Sequence, residues 1–191
     1  AALTLALRPH PGTLNVGWIG TTPTHHVCRV PEMLPPPDEK FQKRMYTGIA
    51  ILNASLCECF PKETQSCVLR QGVRSWLEEG RSVFGYFDSK SYWTDIGTPA
   101  AYLQANFDQL RMLQTQKLVG PHVQLHDSVH LGPNTILGEH VRIGKACTLD
   151  HIIAWPYARI PPQQRLSYGI WFDQTWVPIT AKKSIEQSDL R

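Results

Sequence analysis

Hydrophobic and polar positions follow two different periods along this chain, and the change falls at Lys117. Upstream, Leu3, Leu5 and Leu7 alternate with Thr4 and Ala6, the period-two signature of a half-buried strand. Similar runs at 16–21, 27–30, 48–52, 82–87 and 92–93 predict further strands, and 54–60, 68–79 and 99–113 read as helices. The last helix opens on Thr98-Pro99, an N-cap followed by proline at the first helical position. Leu103, Phe107, Leu110 and Leu113 then give it an apolar stripe of helical period, and Gly80 stops the helix before it. The stretch 31–40, with Pro35-Pro36-Pro37, is a loop.

Downstream of Lys117 an aliphatic residue recurs every six positions: Val119, Leu125, Leu131, Leu137, Ile143 and Leu149. Four residues after each comes a small or β-branched one: Val123, Val129, Thr135, Val141, Cys147 and Ile153. A period of six fits neither an α-helix nor a hairpin meander. It fits a parallel β-helix, each hexad being one short strand and a corner. The aliphatic should point inward, the small residue should fill the corner, and Gly120, Gly132, Gly138 and Gly144 should take the tight turns. The repeat slips by one residue around Trp155-Pro156 and resumes with Ile160 and Leu166. The pattern resembles the left-handed β-helix of hexapeptide-repeat transferases, which closes one coil per three hexads. On that geometry His122 and His140 stack on adjacent strands, about 4.8 Å apart, among largely polar corner residues. The ends of such a coil need covering. The preceding helix is expected to cap one and the segment 171–191 the other, and coil faces suggest a homo-oligomer.

Composition narrows the class. With 42% hydrophobic and 18% charged residues the chain is an ordinary globular protein, and a net charge of +3 gives no argument for nucleic acid. No apolar run is long enough to span a membrane. The apolar opening at 1–7 lacks a basic n-region and is ended by Arg8-Pro9-His10-Pro11, too early for a secretory signal. It reads as a strand, so the chain is expected to begin inside a sheet with upstream sequence missing. Five cysteines form no disulfide framework, and Cys57-Glu58-Cys59 with Cys67 lacks the second pair of a metal site. Reduced thiols and a cytoplasmic location are expected.

Several segments of the first half resemble sugar nucleotidyltransferases (NDP-sugar pyrophosphorylases) of the mannose-1-phosphate guanylyltransferase-like kind. Tyr46-Thr47-Gly48-Ile49-Ala50-Ile51-Leu52 looks like the strand that closes over the sugar. Val83-Phe84-Gly85-Tyr86, then Tyr92-Trp93-Thr94-Asp95-Ile96-Gly97-Thr98-Pro99-Ala100-Ala101-Tyr102, resembles the W-x-D-I-G-T-P-x-x-Y element that ends the catalytic domain. A β-helix directly after it is the family's arrangement. The resemblance implies an incomplete α/β mixed sheet at 1–116, a short left-handed β-helix at 117–172 and a tail at 173–191. It implies sugar-1-phosphate and nucleoside triphosphate as substrates of the intact enzyme, with Mg²⁺ between the reacting oxygens. Asp95 matches the metal-binding aspartate, a hard oxygen ligand, and also has the position of a turn residue before a helix. Glu32 matches the glutamate that accepts hydrogen bonds from sugar hydroxyls, and Gly48 the glycine whose backbone approaches the sugar.

The same comparison exposes gaps. No glycine-rich loop with arginine and lysine is present to wrap a triphosphate, and no G-D pair supplies the second metal-binding aspartate. The family's E-K-P motif reads Glu32-Met33-Leu34 here, without the lysine. The chain alone is therefore expected to be inactive, with no catalytic residue assigned. Two alternatives stand beside this reading. One is a hexapeptide acyltransferase using a histidine such as His140 as base. The other is a non-catalytic regulatory or assembly subunit, favoured by the change to Met33.

Overall fold

In a computed structural model, which describes residues 3–12, 17–33, 40–54, 57, 60 and 65–180, the chain divides into two units, Ala1–Trp93 and Thr94–Arg191. The first is a mixed sheet with few helices. Its strands are β1 (Leu3–Pro9), β2 (Ile19–Thr21), β3 (Val27–Arg29), β4 (Gln42–Leu52) and β5 (Phe84–Phe87), in the order β3-β2-β4-β1-β5. Only the β1·β5 pair is parallel. The alternation of β1 works as read: Leu3, Leu5 and Leu7 are fully buried with Ile19, Val30, Val73 and Trp76, while Thr4 and Ala6 face the other way.

Three local expectations are corrected here. The strand read at 48–52 is eleven residues long and starts at Gln42. Its polar first half is held by pairing with β2 and by Arg44 lying 3.8 Å over the Phe87 ring, neither of which a hydrophobic pattern reports. The helix at 68–79 opens as a π-helical turn, Val68–Val73, before α1 (Arg74–Glu78). That wider turn sets Gly72 against Phe60, where an added Cβ would lie 2.5 Å from the ring. Tyr92–Trp93 forms no strand: the Asp88 carboxylate accepts from the amides of Lys90 and Ser91, turning the chain away from the sheet. Most of the helix expected at 54–60, most of the loop at 31–40, Val16, Cys59 and the tail beyond Thr180 lie outside the described residues.

The second unit is α2 (Pro99–Met112) followed by a parallel β-solenoid of about three turns. One face stacks β7 (Gln124–Leu125), β10 (Arg142–Ile143) and β12 (Arg159–Ile160). A second stacks β8 (His130–Leu131) on the first halves of β11 (Thr148–Ala154) and β13 (Arg165–Phe172). The third stacks β6 (Lys117–Val119), β9 (Thr135–Leu137) and the second halves of β11 and β13. Leu137, Ile143, Leu149, Ile160 and Leu166 fill the interior, as the hexads require. Val119 and Leu125 occupy the same slots in the first turn and stay half exposed, because no turn lies beneath them.

The solenoid departs from the hexad reading in four ways. The slip lies at Asp150–His151, not at Trp155-Pro156: Leu149 follows its partner Leu131 by eighteen residues, but Ile152 follows Thr135 by seventeen. Ile152 therefore takes the interior position, and Ile153 turns outward onto α2. The corner glycines do not adopt left-handed backbone; His122, Asn134, His140, Ala146, His151, Tyr157, Gln163 and Tyr168 do. Glycine serves close approach instead, since a Cβ on Gly138 would meet the Pro156 nitrogen at 2.5 Å. Lastly, α2 does not cap the coil. Thr98 accepts from the Ala101 amide and starts the helix, whose Leu103, Phe107 and Leu110 lie along the third face against Ile136, Ile153 and Ile170. Leu113, the expected end of the stripe, is exposed. At the far end β14 (Thr175–Pro178) pairs antiparallel with β13, so this part of the 171–191 segment does cover an edge.

Candidate functional site

The register of β1 on β4 breaks at one place. Leu5 opposes Ala50 and Leu7 opposes Tyr46, so Thr47, Gly48 and Ile49 together face the single residue Ala6. Gly48 sits at the centre of this bulge with φ +87°, a left-handed conformation that a side chain would strain. The Thr47 hydroxyl donates to the Ala6 carbonyl at 3.0 Å, and the Trp93 indole N–H donates to the Thr47 carbonyl at 3.2 Å. Bulge and indole are thus tied to each other.

Over the bulge opens a cavity of about 480 Å³, lined by Thr47, Ile49, Ile51, Tyr86, Tyr92 and Trp93 among others. Apart from Gly48 and its two chain neighbours, nothing lies within 4 Å of where a Gly48 Cβ would be, so a side chain there would meet open space. Ile51 is 76% exposed and Tyr86 64%, an apolar and aromatic wall on a sheet whose other face is packed. The unbroken apolar run Ile49-Ala50-Ile51-Leu52 signalled this in the sequence, since a strand meant to face water on one side alternates.

The polar rim is Arg8, Asp88 and Ser91. Arg8 donates to the Ser91 carbonyl at 2.6 Å. Hydrogen bonds from the Ser91 side chain and from the Lys90 and Ser91 amides, with Arg8 nearby, pull the Asp88 carboxyl down to about 2. Because the folded value lies below the unfolded one, this turn is fully held above the ordinary carboxylate range and released as pH falls through about 2. The Lys90 and Ser91 amide resonances should therefore move together with a midpoint near pH 2, and an NMR titration with Asp88→Asn as control checks this.

Glu32 and Asp95 lie apart from this cavity's lining. Glu32 has left-handed backbone, φ 71°, in a turn fastened by Arg29, whose Nε donates to the Met33 carbonyl at 3.0 Å. Its carboxylate pairs with Arg70 at 3.1 Å, both side chains more than half exposed, a pair of little stabilising value. Asp95 belongs to the second unit, where its Oδ1 accepts from the Gly97 amide at 3.0 Å and shapes the entry to α2. Among the described residues no group of three or more His, Cys, Asp or Glu side chains gathers in metal-binding fashion. One carboxylate oxygen of Asp95 remains for a ligand, which suits Mg²⁺ only if phosphate oxygens complete the shell.

On the solenoid, His122 and His140 stack with ring centroids 4.7 Å apart, and Tyr157 continues the stack at 5.0 Å. The Glu139 carboxylate, charged and hydrogen-bonded to it, holds the Tyr157 hydroxyl above the ordinary phenol value. No helix of the described residues is long and apolar enough to cross a membrane.

The chain is 23% identical over 151 residues to the mannose-1-phosphate guanylyltransferase of Mycobacterium tuberculosis (strain ATCC 25618 / H37Rv). This distant likeness supports a nucleotidyltransferase-like family. The match takes in 74% of this chain and 42% of that protein, so the chain spans less than half the length of its relative. No family model matches the chain.

Proposed function

We propose that this chain is the C-terminal portion of a sugar nucleotidyltransferase fold, with the cavity beside the Thr47–Ile49 bulge as the seat of a sugar phosphate. The observation that carries the reading is the Thr47–Ile49 bulge, whose Thr47 and Ile49 line the cavity and whose Thr47 carbonyl accepts from the Trp93 indole. A sugar ring has apolar C–H faces and a polar rim. An aromatic wall with Arg8 and Asp88 at its edge suits both. Asp95 as a Mg²⁺ ligand and Glu32 as a partner for sugar hydroxyls rest on the family resemblance alone, since neither lines this cavity.

In this assignment the chain binds and does not transfer. Moving a nucleotidyl group requires donors and cations around the triphosphate, and the present residues contain no glycine-rich loop to provide them. The left-handed coil and homo-oligomer belong to the same proposal. The test is the purified chain with a panel of nucleoside triphosphates and sugar-1-phosphates, Mg²⁺ and pyrophosphate detection. We expect no pyrophosphate, together with shifts of the Thr47–Ile49 amides and the Trp93 indole when a sugar-1-phosphate is added. Pyrophosphate release would overturn inactivity. Shifts absent from those residues, or unchanged in Trp93→Ala, would overturn the cavity. Acetyl-CoA consumption in the same panel, lost in His140→Ala, would instead favour acyl transfer.

A further inference from the structure

We propose that the β7·β10·β12 face of the solenoid carries a second binding site, one for a small phosphate-bearing anion, built on Arg142 and Arg159. These arginines are direct cross-strand partners in parallel register, with Gln124 opposite Arg142 on the other side. Adjacent strands are separated by about 4.8 Å, so two guanidinium stems leave the backbone within one phosphate's reach of each other. Like charges placed directly opposite one another oppose folding, and nothing in the hexad pattern asks for arginine at an outward position.

Most of the other described arginines are engaged. Arg70, Arg74, Arg81 and Arg111 each pair with a carboxylate, and Arg29 and Arg44 lie over aromatic rings. Arg142, Arg159 and Arg165 have no ion pair or ring contact among the described residues, and of the three Arg142 and Arg159 share a groove. They line a groove of about 470 Å³ with Gln124, His126, Leu125 and Pro161, and no carboxylate lines it. Two planar forks, an amide donor and an imidazole around an apolar floor match the oxygens of a phosphate ester or diphosphate. The apolar floor would meet the carbon part of an ester. The groove lies in the second unit and shares no residue with the cavity beside the Thr47–Ile49 bulge, so its occupancy is independent of the proposal made there.

The experiment is a titration of the full chain with inorganic pyrophosphate, read by NMR and calorimetry at low and physiological salt. We expect saturable shifts at Gln124, His126, Arg142 and Arg159. Arg142→Gln and Arg159→Gln should each weaken binding about tenfold, as loss of one charge-assisted contact implies. Arg159→Lys should fail to restore it, since lysine keeps the charge and loses the fork. Arg165→Gln, on a neighbouring face, should bind as the parent chain does. Without anion, Arg159→Gln should melt no lower than the parent chain, because a repulsion is removed; with pyrophosphate the order should reverse. Shifts spread evenly over all basic residues, or affinity indifferent to both glutamine variants, would overturn the site.

Discussion

Leu149→Ala is expected to lower unfolding stability by about 2–5 kcal/mol, close to the limit for a single aliphatic truncation. Leu149 is fully buried in the solenoid interior, between Leu131 one turn before it and Leu166 one turn after. Hydrogen-bonded ladders hold the backbone on both sides, so the wall cannot collapse into the void and the cavity cost is paid nearly in full. Leu125→Ala removes the same group from a slot that is already 41% exposed in the first turn, and should cost a small fraction of that. Urea unfolding followed by circular dichroism separates the two. Equal midpoints for both variants would mean that the hexad aliphatics do not form the core described.

Trp76→Ala should cost about 3–5 kcal/mol in the first unit. The ring is 1% exposed and packs with Leu3, Leu5, Leu7 and Val83, and it is the largest fully buried side chain among the described residues. Its indole N–H has no hydrogen-bond partner among the described residues, so the indole bears a desolvation cost without the bond that would offset it. Trp76→Phe keeps most of the volume and removes that orphan donor, and should lose less than about 1.5 kcal/mol. A phenylalanine variant as damaged as the alanine one in denaturant titration would show that the indole nitrogen is satisfied in solution.

Periodicity made the solenoid legible because a repeating fold writes the same constraint several times. Leu137, Ile143 and Leu149 each answer to one interior slot. What the period could not reveal was where the count changes. Ile152 and Ile153 are both apolar and adjacent, and only pairing with Thr135 and Ile136 shows which one enters the coil. The corner glycines misled for a related reason. Glycine satisfies both a left-handed turn and a close approach, and the spacing is the same for either.

In the first unit the strands with alternating leucines were readable, whereas β4 was not, because its polar half is fixed by partners far away in sequence. The sequence singled out Gly48 and the tryptophan element, but not the cavity itself. Its apolar wall, the Trp93–Thr47 bond and the Asp88 turn depend on which residues the bulge brings face to face. The Arg142–Arg159 pairing likewise exists only once the turns are in register.

The missing residue at Asp150–His151 has a consequence for how this architecture can vary. A deletion inside a strand would exchange inward and outward positions for everything that follows on that face. A deletion at a corner shortens only the bend, and Ile160 and Leu166 still reach the interior after it. Corners are therefore the places where this coil can gain or lose length, by a residue or by a whole excursion, while the stacked faces keep their phase.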